Sequence, residues 1–125
     1  MLTTLPSVAL GGALGATLRY LVNVGALRAF GPGFPVATLV VNVAGSFAMG
    51  LLAVALLETG ANRLAPLLMT GVLGGFTTFS AFSLDTLTLW ERGETTLALT
   101  YVALSVGLAL AALVAGLALG RGLWA

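Results

Sequence analysis

The stretch "GGFTTFSAF", Gly74 to Phe82, places two glycines, two threonines, a serine and three phenylalanines inside a strongly apolar run. Glycine costs about 1 kcal/mol relative to alanine inside a helix, so Gly74–Gly75 marks a weak point. If the helix opens there, nearby carbonyls lose their partners. In lipid such carbonyls are tolerated only where protein buries them or a cavity faces them. They offer the oxygen ligands that a hard cation takes, Na⁺ among them. Gly71, Gly74 and Gly75 also permit close helix packing. The motif alone leaves both readings open.

Phe76, Phe79 and Phe82 recur every three residues, with Ser80 and Ser83 beside them. A phenyl ring has a negative face and a positive edge. Ring edges turned to a pore contact an anion without a full charge, and packing against neighbours is the plainer use of the same spacing. Asn42 has Thr38 one turn before it and Ser46 one turn after it, close to one helix face. Asparagine brings two N–H donors and each hydroxyl brings one, which is what a desolvated anion needs. The alternative is that Asn42 holds a neighbouring helix, an interaction averaging about 0.6 kcal/mol. Tyr101 and Ser105, one turn apart, repeat the pattern more weakly. Arg19 is the one basic residue well inside a span, where arginine costs about 2.5–3.5 kcal/mol. It snorkels to the interface or anchors an anion vestibule, with Asp85 as its partner or as the lining of an entrance.

These residues need a scaffold, and composition says which kind. Of 125 residues, 59% are hydrophobic and 7% charged, against about 45–50% and about 25% in soluble domains. The solvent for such a chain is lipid. Each span takes roughly 20 residues, so the length accommodates four and leaves no room for a separate soluble domain. Residues 1–125 form a single four-span domain on this reading. Cysteine, histidine and lysine are absent, which removes disulfides, thiolate metal sites and the commonest proton shuttle. A net charge of +1 argues against a nucleic-acid partner. "MLTTLPSVALGG" lacks a basic n-region and reads as the start of a first span.

The apolar runs predict spans at about Leu5–Ala26, Val36–Leu57, Pro66–Trp90 and Thr95–Leu119. The breaks are "RAFGPGFP", "ETGANRLA" and "ERGE". Pro66 suits a first helical turn. Trp90, Trp124 and Tyr20 fall near span ends, where interfacial aromatics belong. Arginine placement sets orientation. Arg63 and Arg121 lie on the side of the termini. Arg28 and Arg92 lie on the other, with Arg19 buried nearby. So even a distribution permits insertion both ways round and an antiparallel homodimer. The alternative is one orientation chosen for subtler reasons.

With these residues in place, the chain resembles the small fluoride channels of the Fluc (CrcB) family over essentially its whole length. "GGFTTFS" is close to that family's signature, and "GALGATLRY" and "NVAGSF" fit it. The resemblance implies an all-α cell-membrane protein of four transmembrane helices, the third broken mid-membrane, assembled as a dual-topology antiparallel homodimer with two pores. It implies a structural Na⁺ at the dimer interface, held by backbone carbonyls of Gly74 and Thr77 from both subunits. Fluoride then passes Asn42, Phe79 and Phe82, with Tyr101 and Ser105 as a polar track. Ala109 stands where that track would continue. No nucleophile–base set or metal cluster suggests an enzyme. Rival readings are a small dual-topology multidrug exporter and a non-transporting membrane assembly subunit. The exporter needs a membrane carboxylate, typically in span one, where this chain has Arg19 and no acid.

Overall fold

The computed structural model describes residues 2–125. Four helical segments are long and apolar enough to cross a membrane: Leu2–Phe30, Val36–Glu58, Asn62–Glu91 and Thr95–Trp124. These four segments make the protein a multi-pass integral membrane protein.

Helix α1, Leu5–Phe30, carries proline in its first turn and ends at Gly31, whose N–H donates to the Leu27 carbonyl at 2.9 Å. Gly31 has φ 75°, a conformation that glycine adopts without steric cost. Helix α2 is Val36–Glu58. After a short turn at Asn62–Leu64, the third span begins at Pro66 and runs in wide π-helical turns to Leu73. A single α-turn follows (α3, Gly74–Phe76). Thr77 (φ −116°, ψ 127°) and Thr78 (φ −138°, ψ 118°) are then extended. Helical geometry resumes in α4, Phe79–Glu91, and α5 is Thr95–Trp124.

Helices α1 and α5 outrun the lengths expected from composition. Arg28 to Phe30 continue α1, and "GRGLW" continues α5. Tyr20 therefore lies well inside α1, exposed on its side, and not at a span end. Arg19 is likewise about three turns from the helix end, further in than the sequence suggested.

Two close helix contacts organise the chain. Helix α2 packs chiefly on α5, and α1 on the first half of the third span. Glycines make both possible. A Cβ on Gly50 would lie 2.5 Å from the Leu113 carbonyl oxygen, and one on Gly75 would lie 2.6 Å from that of Gly12. Small residues let backbones approach in lipid, where no hydrophobic force draws helices together. A buried cluster of Leu89, Ala98 and Tyr101, backed by Phe34, Leu39 and Phe82, joins α4 to α5 and to the α1–α2 loop. Leu10, Leu14, Leu18 and Leu21 form an exposed stripe along α1, suited to lipid contact.

Candidate functional site

The site is built around the extended Thr77–Thr78 link. In an uninterrupted helix the Thr78 N–H bonds the Gly74 carbonyl, and the Ala81 N–H bonds that of Thr77. Here both donors go elsewhere. The Thr78 N–H donates to Asn42 Oδ1 at 2.7 Å. The Ala81 N–H donates to Thr78 Oγ1 at 3.2 Å, so Thr78 caps α4. Asn42 Nδ2 returns a bond to the Thr78 carbonyl at 3.2 Å. Arg19 Nε donates to the Gly75 carbonyl at 3.1 Å. Side chains from α1 and α2 thus satisfy the Gly75 carbonyl and both backbone groups of Thr78, in line with what buried backbone in lipid requires. The carbonyls of Gly74 and Thr77 lose their helical donors to these side-chain acceptors.

Several expectations change at this point. The glycine pair does not open the helix: Gly74 is helical (φ −64°, ψ −35°), and the departure comes at Thr77 and Thr78. Gly75 serves the close approach of α1 instead. Phe76 precedes the link, so the three phenylalanines do not share one helical face. Asp85 does not pair with Arg19; it accepts from the Tyr101 hydroxyl at 3.1 Å. Ser83 donates back to the Phe79 carbonyl at 3.0 Å, in its own helix. Ser80 Oγ lies 3.1 Å from Thr78 Oγ1.

A groove of about 360 Å³ runs along the link, lined by Asn42, Ser46, Thr77, Phe79, Phe82 and Ser105. Phe79 is 78% exposed. Its ring lies 5.4 Å from that of Phe82, which lies 5.3 Å from that of Tyr101. Phe34 meets Tyr101 edge-on at 5.5 Å. Ser105 Oγ is buried against this groove and makes no hydrogen bond of regular geometry among the described residues, although the Tyr101 hydroxyl lies near enough to interact with it. Ala109 also lines the groove, so α5 presents a methyl group one turn beyond Ser105. A second cavity of about 220 Å³ opens at the α1–α2 loop, where Asn23, Thr38, Asp85 and Arg92 are among its lining residues. Thr38 is buried and faces this cavity, while Asn42 and Ser46 face the groove.

Sequence reasoning did not single out Asn23 or Phe34, nor the bond between Tyr101 and Asp85. A lone acid within a span does demand a partner. With a sequence separation of 16 from Asp85 to Tyr101, and a helix end and turn in that interval, only the folded chain reveals which partner it has.

Residues 7–117 match the family described as CrcB-like protein, Camphor Resistance (CrcB). The chain belongs to the CrcB family. Among its relatives are proteins named fluoride-specific ion channel FluC. That of Cereibacter sphaeroides is 66% identical over 122 residues, covering 98% of each chain. That of Paracoccus denitrificans is 63% identical with the same coverage. That of Ruegeria sp. is 56% identical over 123 residues, again 98% of each chain. In this CrcB chain the groove runs along the two-residue link and is mostly apolar, with Asn42, Ser46 and Ser105 among its polar lining residues.

Proposed function

We propose that this chain is the subunit of a passive, fluoride-selective channel that lets fluoride leave the cell. The observation that carries this reading is the groove holding the buried Ser105 hydroxyl, without a hydrogen bond of regular geometry, beside Asn42 and the Phe79–Phe82 ring pair. Burying a hydroxyl without a partner costs about 1–3 kcal/mol, and on this reading the permeating ion is the acceptor that Ser105 meets. The names of the FluC relatives supply the identity of that species.

Fluoride is small and strongly hydrated, and an isolated buried ion costs tens of kcal/mol by Born reasoning. Donors must replace its shell. Asn42 uses one Nδ2 hydrogen on Thr78 and keeps a second. Ser105 adds a hydroxyl, Phe79 and Phe82 add ring edges, and Tyr101 lies behind them. The N-terminal end of α4 adds the positive end of a helix dipole. Ser80 and Ser83 stand on its first turns outside the groove lining, and Thr38 faces the loop-side cavity and adds a hydroxyl there.

The working unit on this reading is an antiparallel homodimer, with the third span of each copy broken at Thr77–Thr78 and a pore along each groove. Two arginines on each side of the membrane, apart from Arg19, leave the orientation balanced. The high exposure of Phe79 in the single chain supports a second copy covering it. The carbonyls of Gly74 and Thr77 fit a structural Na⁺, because their helical donors are diverted and both are hard oxygen ligands. Two copies would supply four such oxygens. A bound Na⁺ there would supply a fixed positive field that offsets anion desolvation.

Fluoride efflux from liposomes holding the purified protein, with chloride as control, tests the activity. A cysteine placed at one terminus and labelled from either side of the membrane tests the topology. Fluoride release without chloride release, and labelling from both sides, are the expected results. Liposomes that retain fluoride would sink the channel, and labelling from one side only would sink the antiparallel dimer.

A further inference from the structure

We infer that Arg19 is a positioning residue that decides which carbonyls of the third span stay open. It acts from α1, through the Gly75 carbonyl. The inference rests on the channel reading above only for its flux readout.

Three features of the fold place it there. Close contacts at Gly11 and Gly15 bring α1 against the π-helical segment, with the backbone of Leu67, Gly71 and Val72 directly opposite. Arg19 follows Gly15 by one turn, on the same face. Its Nε reaches the Gly75 carbonyl at 3.1 Å while the residue is half-buried. Its position also suits its charge. The dipole of Pro66–Phe76 is negative at its C-terminal end, and an arginine there is favourable. An arginine far inside a span is otherwise costly.

The consequence concerns the link. In an α-helix the Gly75 carbonyl would accept from the Phe79 N–H. That bond would carry the helix across Thr77 and Thr78. With Arg19 holding the carbonyl, Phe79 is left to begin a new helix, and Thr78 is free to be gripped by Asn42. Of the neighbouring carbonyls, Gly75 is taken by α1 and Thr78 by α2, while those of Gly74 and Thr77 lose their helical donors to side chains. Without the guanidinium, the Gly75 carbonyl competes with these two or pulls the link back into the helix. Lysine keeps a charged donor at this position, glutamine a neutral one, and methionine neither.

The test uses the full chain in liposomes, isotope-labelled at the Gly75 carbonyl, as wild type, Arg19→Lys, Arg19→Gln and Arg19→Met. The carbonyl resonance reports its hydrogen bond directly and needs no fluoride. We expect it to move in Arg19→Met, to move part-way in Arg19→Gln, and to stay near the wild-type position in Arg19→Lys. Fluoride flux should follow the same order, with Arg19→Met down by about tenfold or more and Arg19→Lys retaining most of it. An unmoved Gly75 resonance in folded Arg19→Met overturns the inference, whatever the flux. Flux equally lost in Arg19→Lys with its resonance unmoved also overturns it, since the clamp would then be intact. If Arg19→Met does not fold, Arg19→Gln decides: a moved resonance with reduced flux supports the clamp, and an unmoved one sinks it. If wild type carries no fluoride, the channel reading fails, and the resonance alone still decides the clamp.

Discussion

Asn42 grips the backbone of Thr78 from both sides. Its Oδ1 accepts from the Thr78 N–H at 2.7 Å, and its Nδ2 donates to the Thr78 carbonyl at 3.2 Å. A carboxamide is the smallest side chain that presents an acceptor and a donor side by side, so one residue of α2 satisfies both backbone groups of an extended residue. The same amide keeps one N–H for the groove. Fixing the link and offering a donor to the groove are therefore joined in one group.

Asn42→Asp separates these roles. The carboxylate still accepts from Thr78 N–H, yet it offers no donor to the Thr78 carbonyl or to an anion. An unpaired buried acceptor costs about 1–3 kcal/mol, and the added negative charge repels fluoride. Flux should fall by about a hundredfold or more while the protein remains folded. Near-normal efflux from liposomes would show that Asn42 serves only as helix glue.

Ser105→Ala is expected to leave thermal stability unchanged or slightly raised, because the buried hydroxyl makes no hydrogen bond of regular geometry among the described residues. Fluoride flux should drop by about tenfold. A clear loss of stability with normal flux would mean that the hydroxyl is bonded within the assembled protein and does not meet the anion.

The glycines of α1 and α3 can be distinguished by single methyl groups. A Cβ on Gly75 meets the Gly12 carbonyl at 2.6 Å and the Ala16 nitrogen at 3.1 Å, both backbone atoms that cannot swing away. Gly75→Ala should cost about 1–3 kcal/mol, as overpacking does, and Gly75→Leu should abolish assembly or flux. A Cβ on Gly12 meets nothing within 4 Å, so Gly12→Ala should be tolerated. Equal melting temperatures for Gly75→Ala and wild type would contradict the close approach.

At Phe79 and Phe82, isoleucine should cut flux more than methionine. Isoleucine keeps bulk without a positive edge, while methionine is soft and adaptable. The difference should be larger at Phe79, which is exposed, than at Phe82, which also packs on Tyr101. Parallel efflux measurements showing the two substitutions to be equal at both positions would leave the rings with packing alone.

Much of this was legible in the chain itself. The four spans follow from apolar runs punctuated by glycine, proline and charge, because lipid forces backbone groups into helices wherever side chains are apolar. Asn42, Ser105 and the phenylalanines stood out because polar or repeated aromatic side chains are costly or conspicuous against that background. Family membership was legible too, in "GGFTTFS" and its companions.

The position of the link was decided by tertiary structure. Glycine propensity is a local quantity and pointed to Gly74–Gly75. Yet those residues stay helical: α1 packs against Gly75, and Arg19 caps the Gly75 carbonyl. Helicity stops at Thr77 and Thr78, two β-branched residues with side-chain acceptors at hand, because Asn42 offers an amide across 36 residues of sequence. The partner of Asp85 was hidden for the same reason: Tyr101 reaches it from α5, and Arg19, its apparent match by charge, is held elsewhere. A span is set by the average polarity of its own residues, which one sequence records. The end of a hydrogen-bond ladder is set by which neighbouring side chain arrives at an orphaned group, and only the packed helices determine that.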